Sequence, residues 1–529
     1  MSVTEGKATI QSLANDDGTI KEVFYNPAQV FNRDLSLLVL KAFADTRQAE
    51  IEQKRQKTLG RRAATAVEPV RPQWQGLKII EPLAASGLRS IRYALELSDD
   101  VQYCVANDLD GRAARHALHN VNSNGVHEKV YVTLADANAL LFSQFRCLSN
   151  DQPDTRTSNL EALAFPPDVI DVDPYGSVVP FLDSAVRAVA DGGLLCLTST
   201  DMPVLGANCP EVSFYKYGGN ALKAKWLHEM SLRLVLLAAQ QCANRAGRHM
   251  EPLVSLSVDF YCRVFVRIVD SKVKCKLSAS RTSFVLQCTQ CPAFHTIPFG
   301  RHEPKGDGSF TDAHGQPSGS FKVGRWPDIS SSCEQCGGRY SMGGPFYSGP
   351  LHSKPFVMAL LQLCKTPPVT MQLAMTRKIQ GTLSAILSEL EAPLFFHLPS
   401  LCHFAKLTQM KTEVFRAGLR SLGYASSYFH RDPQAIKTAA PTAVVMAVLR
   451  AYKKKTDELS DSWTDALKNF YNGSCLSEKD EQTVEWTVTD ADKPQQEGAL
   501  FLPNPKKHWG PGSLPGSKRK KTPHETGAV

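Results

Sequence analysis

The segment Asp168–Ser177, read as DVIDVDPYGS, is an apolar run broken by acids and closed by Asp173, Pro174 and Tyr175. A carboxylate, a proline and an aromatic ring at the exit of a β-strand suit the alkylation of a weakly nucleophilic amine. The lone pair of an exocyclic base amine is delocalised into its ring. Hydrogen bonds from that amine to the Asp173 carboxylate and the Pro174 carbonyl would favour a pyramidal nitrogen facing an electrophilic methyl group. Tyr175 could stack on a base taken out of its helix, and much of the acceleration would come from positioning acceptor against donor. Asp171 shares the strand face with Asp173 but lies deeper. Asp173, beside the proline, is therefore the expected catalytic carboxylate. The same residues are also compatible with a buried strand ending in a Pro-Tyr-Gly turn.

Glu81–Ser90, EPLAASGLRS, is a second candidate. Small residues at 84–87 let the backbone approach a ligand, and the following helix start suits a carboxylate. A G-x-G-x-x-G dinucleotide pattern is absent from it. Asp108 closes the next β-rich run about twenty residues on, where an acid can bind ribose hydroxyls. Asp136 closes the third run and could accept from an adenine amine, with the Ala137 amide donating to the ring. Each acid could equally cap a helix; one ligand would need all three strand ends in succession.

Cys288/Cys291 and Cys333/Cys336 form two Cys-x-x-Cys pairs among 14 cysteines. The start of the sequence lacks an apolar signal core, so the pattern favours metal over disulfides. Four thiolates satisfy tetrahedral Zn²⁺ in a structural role. The long spacing between the pairs requires a looped insertion near 301–325. His295 and His302 are alternative ligands, unnecessary once four cysteines are counted.

The elements that must position these residues alternate. Runs at 77–84, 101–106, 130–134, 168–172 and 193–198 read as strands. The stretches 90–97, 112–121, 178–190 and 221–246 read as helices, with one or two further strands in 253–269. This alternation signals a doubly wound, mostly parallel sheet, whose ligands bind outside the carboxyl ends of the strands. The charged stretch 50–71 reads as a solvated connection, and 150–159 as a surface loop. Helical spacing recurs at 375–390, 414–422 and 443–452. Residues 460–529, rich in polar residues, Gly and Pro, read as mostly irregular.

Composition is that of a globular chain, 43% hydrophobic and 21% charged. Its longest apolar runs are too short to span a bilayer. The net charge of +8 permits nucleic-acid binding without demanding it. Arg416, Arg420 and Lys437, with the nearby His430–Pro433 turn, could grip a phosphate backbone or form a solvated helix face. Lys518–Lys521 fits a nuclear import signal, an RNA tether or a solubilising tail. Nuclear residence follows from the first of these, with mitochondrial or cytosolic pools also compatible. No obligate protein partner is evident.

In order along the chain stand Phe24-Tyr25-Asn26-Pro27 and Asn32-Arg33-Asp34-Leu35-Ser36, the junction 81–93, Asn107-Asp108 and Asp136-Ala137. They continue with Asp173-Pro174-Tyr175-Gly176, Thr200-Asp201, the paired cysteines, Asn504-Pro505-Lys506 and Trp509-Gly510-Pro511. Together they resemble the tRNA guanine-26 N2-dimethyltransferase family over nearly the whole chain. The resemblance implies an α/β fold: a class I, Rossmann-like S-adenosylmethionine-dependent methyltransferase domain with a zinc-containing C-terminal α+β domain. It implies an N-terminal segment over 1–76 that contributes to the cofactor site and the methyltransferase domain over 77–275. A tRNA-binding domain with the zinc site would span 276–455, and a largely irregular basic tail 456–529. The implied reaction is two methyl transfers from S-adenosylmethionine to N2 of one guanine in tRNA. Arg33, Arg89, Asp108, Asp136 and Ala137 match cofactor contacts, with Arg92 competing for the place of Arg89, and Asp173 matches the catalytic aspartate. Two other readings differ in class: a methyltransferase acting on another nucleic-acid amine, and a zinc-containing RNA-binding protein with a vestigial methyltransferase fold.

Overall fold

The computed structural model describes residues 2–11, 25–62, 74–146, 166–306, 308–312, 315–456, 468, 470–471, 484–493 and 501–502, with the side chains of 57–62 and 144–146 left aside. The loop expected at 150–159, and Lys506, Trp509 and Lys518–Lys521, lie outside the described residues.

An N-terminal hairpin, β1 (Ser2–Glu5) and β2 (Ala8–Gln11), precedes a long helix α1 (Val30–Arg62). The sheet elements follow as β3 (Leu77–Glu81), α2 (Leu88–Glu96), β4 (Val101–Asp108), α3 (Gly111–Ser123), β5 (Val130–Leu134) and α4 (Ala137–Arg146). After them come β6 (Val169–Val172), α5 (Val179–Ala188), β7 (Gly193–Ser199), α6 (Met202–Leu205), α7 (Pro210–Tyr217), α8 (Leu227–Arg245), β8 (His249–Val258) and β9 (Tyr261–Val269). The seven strands lie in the order β5-β4-β3-β6-β7-β9-β8. The first five are parallel, and β9 and β8 add antiparallel. Every residue of β6 and β7 is buried, as expected of parallel strands covered on both faces.

This order has a functional consequence. From β3 the chain moves outward through β4 to β5, then returns to place β6 on the other side of β3. The connections leaving β3 and β6 therefore diverge and open a crevice at the sheet's carboxyl edge.

The charged stretch expected to be a connection is instead the continuation of α1, helical to Arg62. Its polarity suits a helix leaving the core: Phe31–Ala44 is largely buried, and further along Glu50 pairs with Arg267 of β9 at 2.5 Å. The expected 221–246 helix starts later, at Leu227.

Beyond a single turn α9 (Lys272–Cys275), β10 (Thr282–Cys288) runs between β11 (Phe294–Pro298) and, later in the chain, β14 (Tyr340–Tyr347). Between β11 and β14 a hairpin of β12 (Gly300–Glu303) and β13 (Ser320–Val323) occupies the segment expected to loop out. Helices α10 (Lys354–Lys365) and α11 (Thr376–Ser388) follow, then β15 (Phe396–His397), α12 (Leu398–Phe404), α13 (Thr412–Ser421), β16 (Ser426–Phe429), β17 (Asp432–Thr438) and α14 (Thr442–Thr456). The apolar core is continuous across both halves. One cluster runs from Ile80 and Val172 through α8 to Phe396 and Met446. Among the described residues no helix is long and apolar enough to cross a membrane.

Candidate active site

Three adjacent strand ends are tied together by side chains. Asn107, fully buried at the end of β4, donates to Pro82 O at 3.0 Å and Ala135 O at 2.9 Å and accepts from Thr133 at 2.8 Å. It locks the exits of β3, β4 and β5 in one register. The turn after β3 is tight: Ala84 N donates to Asn107 O at 2.7 Å and Gly87 N to Ala84 O at 2.8 Å. Gly87 has φ +74°, and a Cβ there would sit 3.3 Å from that of Ala117. Glycine is needed on both counts. α2 begins there with no side-chain cap from Gly87, and the Ser90 amide of its first turn donates to Glu81 at 3.2 Å.

Asp108 accepts from Ala85 N (2.9 Å) and from Asp110 N (2.9 Å). Each carboxylate oxygen retains a lone pair for a hydroxyl. The cap of α3 is Asp110, which accepts from Arg112 N; Asp108 is spared that role. Asp136 does cap α4, accepting from Ala139 N at 2.9 Å through Oδ1. It is exposed, with Ala137 buried beside it. Asp136, Asp108, the 84–87 turn and Asp173 thus stand on four neighbouring strands. At about 4.8 Å per strand they cover roughly 14 Å in a line, an order that fits adenine, ribose, methionyl group and methyl acceptor.

Across the crevice, Asp171 is fully buried while the Asp173 side chain keeps 19% exposure. Burial alone would raise the Asp171 pKa, but the Arg263 and Arg89 guanidiniums hold it below the usual carboxylate range. Arg263 contacts both Asp171 oxygens at 2.8 and 3.0 Å, and Tyr93 donates at 2.7 Å. Arg89 lies 3.7 Å from Asp171 and pairs directly with Asp173 Oδ2. Pro174 is buried and Tyr175 is 64% exposed. The loop is braced from behind: Gly176 and Thr200 exchange hydrogen bonds at 2.8 Å. Ser177 donates to the Tyr217 hydroxyl, which donates to Asp201 at 2.6 Å.

The two candidate arginines of α2 separate cleanly. Arg89 turns to the crevice. Arg92 turns away, to Glu5 (2.7 Å), Asp34 (2.8 Å) and Glu96 (2.7 Å). Arg33 makes a two-point pair with the same Glu5 at 2.7 and 2.5 Å and donates to Asn26 O. The N-terminal hairpin thus reaches the helix that carries Arg33.

The chain matches the family described as N2,N2-dimethylguanosine tRNA methyltransferase over residues 6–450. It is 36% identical to the tRNA (guanine(26)-N(2))-dimethyltransferase of Drosophila melanogaster, over 97% of this chain and 89% of the fly protein. It therefore belongs to this methyltransferase family. The mitochondrial Saccharomyces cerevisiae enzyme of the same name is 32% identical over 97% of this chain and 92% of its own length. A solved structure of Trm1 from Pyrococcus horikoshii with S-adenosyl-L-methionine superposes with a TM-score of 0.61 at 23% identity, covering 85% of this chain and 99% of that one.

This dimethylguanosine methyltransferase family member also brings its four paired cysteines together. Cys288, Cys291, Cys333 and Cys336 are buried with all four sulfurs within 4.8 Å of one another. Cys288 Sγ lies 3.5 Å from that of Cys336, and Cys291 Sγ 3.7 Å from that of Cys333. Those separations are far too long for disulfides. They approach the roughly 3.8 Å edge of a tetrahedron with metal–sulfur bonds of about 2.3 Å. His295 and His302 stay outside the cluster, bonded to the Tyr340 hydroxyl and to Ser318 O.

The expected phosphate grip is corrected by the fold. Lys437 is buried, 2.8 Å from Glu229 and 3.2 Å from Glu389. Arg416 is buried, donating to the carbonyls of Asp492, Ser426 and Ala491. His430 is buried against Glu389 at 3.0 Å, and Arg431 donates to Asp259 O. Arg420 is partly exposed but committed to Asp492. Tertiary contacts consumed these groups because their helices and strands face the shared core. Reading residues singly missed Asn107, Arg263, Tyr93 and Tyr217. The signal for Arg263 was available: a charge within an otherwise apolar strand needs a buried partner.

Proposed function

We propose that this chain transfers two methyl groups in succession from S-adenosylmethionine to N2 of guanine 26 in tRNA, giving N2,N2-dimethylguanosine. The observation that carries the reading is the exit of Asp173 at the switch point, one strand from the 84–87 turn and in line with Asp108 and Asp136. Asp136 and Ala137 would meet the adenine, Asp108 the ribose, and Arg89, Arg33 and the start of α2 the methionyl carboxylate. When bound, the donor supplies an electrophilic methyl group on a sulfonium sulfur.

Arg89 holds Asp173 through Oδ2 and leaves Oδ1 for the substrate. Asp173 and the Pro174 carbonyl accept hydrogen bonds from the guanine amine and orient its lone pair, and Asp173 is placed to take the proton released on transfer. Tyr175, on the solvent side, stacks on the extruded base. The loop's bracing by Tyr217 and Thr200 keeps this geometry without help from substrate, which lowers the ordering cost of the reaction.

The four cysteines would hold structural Zn²⁺, whose softness and tetrahedral preference fit a closed thiolate set. The division at residue 275, between the sheet and the cysteine-bearing half, and nuclear residence through the basic tail belong to the same reading. A fluorescent fusion with and without Lys518–Lys521 tests the latter.

The decisive measurement is nucleoside mass spectrometry of tRNA incubated with the purified chain and methyl donor. N2,N2-dimethylguanosine at position 26 is expected. Methylation of another amine, or tRNA binding without transfer, overturns the reading.

A further inference from the structure

A cleft of about 940 Å³ opens between the loop 222–227, the first cysteine turn and α12. Lys223, Lys225, Lys406 and His403 line it, and no carboxylate does. The three lysines are exposed. Among the described residues none of the three has an ion-pair partner, whereas Lys216 nearby is paired with Asp201 at 3.6 Å. Thr289 and Gln290, inside the first Cys-x-x-Cys turn, form one wall, so the cysteine cluster shapes the cleft.

The cleft is connected to the reaction crevice by a short piece of chain. Tyr217, at the end of α7, braces the Asp173 loop through Ser177 and Asp201. Lys223 stands six residues later, so it lies within about 22 Å of Tyr217 along an extended chain. On the same helix Phe214 is 53% and Tyr215 71% exposed. Cations without counter-charges, and exposed aromatic rings on the chain leading to them, are what a single strand of nucleic acid requires, phosphates on the former and bases on the latter.

We propose that this cleft, with Phe214 and Tyr215 on the helix that precedes it in the chain, is the track that holds the RNA backbone flanking the target nucleotide. The proposal rests on the tRNA methyltransferase reading and assigns the gripping surface that the buried Arg416 and Lys437 cannot provide. The cysteine module then acts as a wall for RNA as well as a fold element. Lys223, Lys225 and Lys406 contact phosphates, so they contribute affinity with little dependence on base sequence.

The test measures tRNA affinity of the full chain across a salt series for wild type, the triple variant K223Q/K225Q/K406Q and the triple variant K223R/K225R/K406R. The glutamine variant is expected to bind roughly tenfold more weakly or worse near physiological salt, with the log–log salt slope shallower by about two. The arginine variant should restore both values, which separates charge from packing. Donor affinity, measured in parallel, reports folding. A glutamine variant with wild-type affinity and slope overturns the track, whatever the activity. Failure of the wild type to methylate tRNA overturns the activity reading instead.

Discussion

Among the buried ionic clusters of the described residues, two have opposite topologies. Under the carboxyl edge of the large sheet, Arg263, Tyr93 and Arg89 enclose Asp171, and Arg89 reaches on to the partly exposed Asp173. Between α8 and the C-terminal sheet, Lys437 bridges Glu229 and Glu389, Arg233 backs Glu229 at 2.7 Å, and His430 backs Glu389. Every one of those five groups is buried. Burial would raise the Glu389 pKa, but Lys437 and His430 hold it below the usual carboxylate range. The first cluster is open at one end, at a crevice. The second is sealed, with no exposed member, and its lysine meets both carboxylates. In the proposed reaction, buried charge acts where one member reaches solvent at a topological opening; the second cluster joins layers.

Breaking the two clusters should separate these roles. Asp173→Ala is expected to lower kcat by about a thousandfold or more, beyond the usual contribution of a single acid–base group because orientation is lost as well. tRNA affinity should stay near that of the wild type. A large affinity loss would make Asp173 a docking element. In the sealed cluster, Lys437→Met should cost about 3–5 kcal/mol of stability by removing the cation that two buried carboxylates share, read by denaturant unfolding. Methyl transfer per folded molecule should persist; its loss would give the sealed cluster a part in the reaction.

Cys336→Ser sharpens the comparison from the metal side. Metal content, measured by elemental analysis, is expected to fall from about one ion per chain towards none, with a lower Tm. Unchanged stability would remove the structural role of the cluster.

Glu81 provides the smallest effect. It is buried at the end of β3, accepts from Ser90 at 2.7 Å, and burial pushes its carboxyl up to about 8. The folded state then keeps a proton that the unfolded chain releases above its ordinary value of 4.5. The contribution is complete below that value and is lost as pH rises towards 8. Relative to Glu81→Gln, wild-type stability should decline by a few kcal/mol across this window. A pH-independent difference would mean that Arg89, 4.0 Å away, keeps Glu81 ionised in the fold.

The parallel strands, their polar exits and the cysteine pairs were legible because each depends on local pattern. Apolar runs of strand length are bounded by turn residues, and Cys-x-x-Cys brings two sulfurs into one turn. Asp173 was distinguished from Asp171 by its place next to Pro174. α1 goes unread in the sequence, where the polarity of 50–62 resembles a linker. A helix leaving the core carries the same composition. Arg416 and Lys437 were misread for a related reason: a cation on an amphipathic element looks solvated until the partner surface is known.

By itself, then, the chain determined where its strands fall along the sequence, the chemistry available at their exits and the two cysteine pairs. These follow from periodicity of two or 3.6 residues and from residues adjacent in sequence. Only the tertiary structure decided that Arg89 rather than Arg92 faces Asp173, that Asn107 pins three strand exits, and that Arg416 and Lys437 are enclosed while Lys223, Lys225 and Lys406 stay open. Those outcomes depend on which surfaces meet across long sequence separations, and a charge has no preference between solvent and a buried partner until that partner is placed.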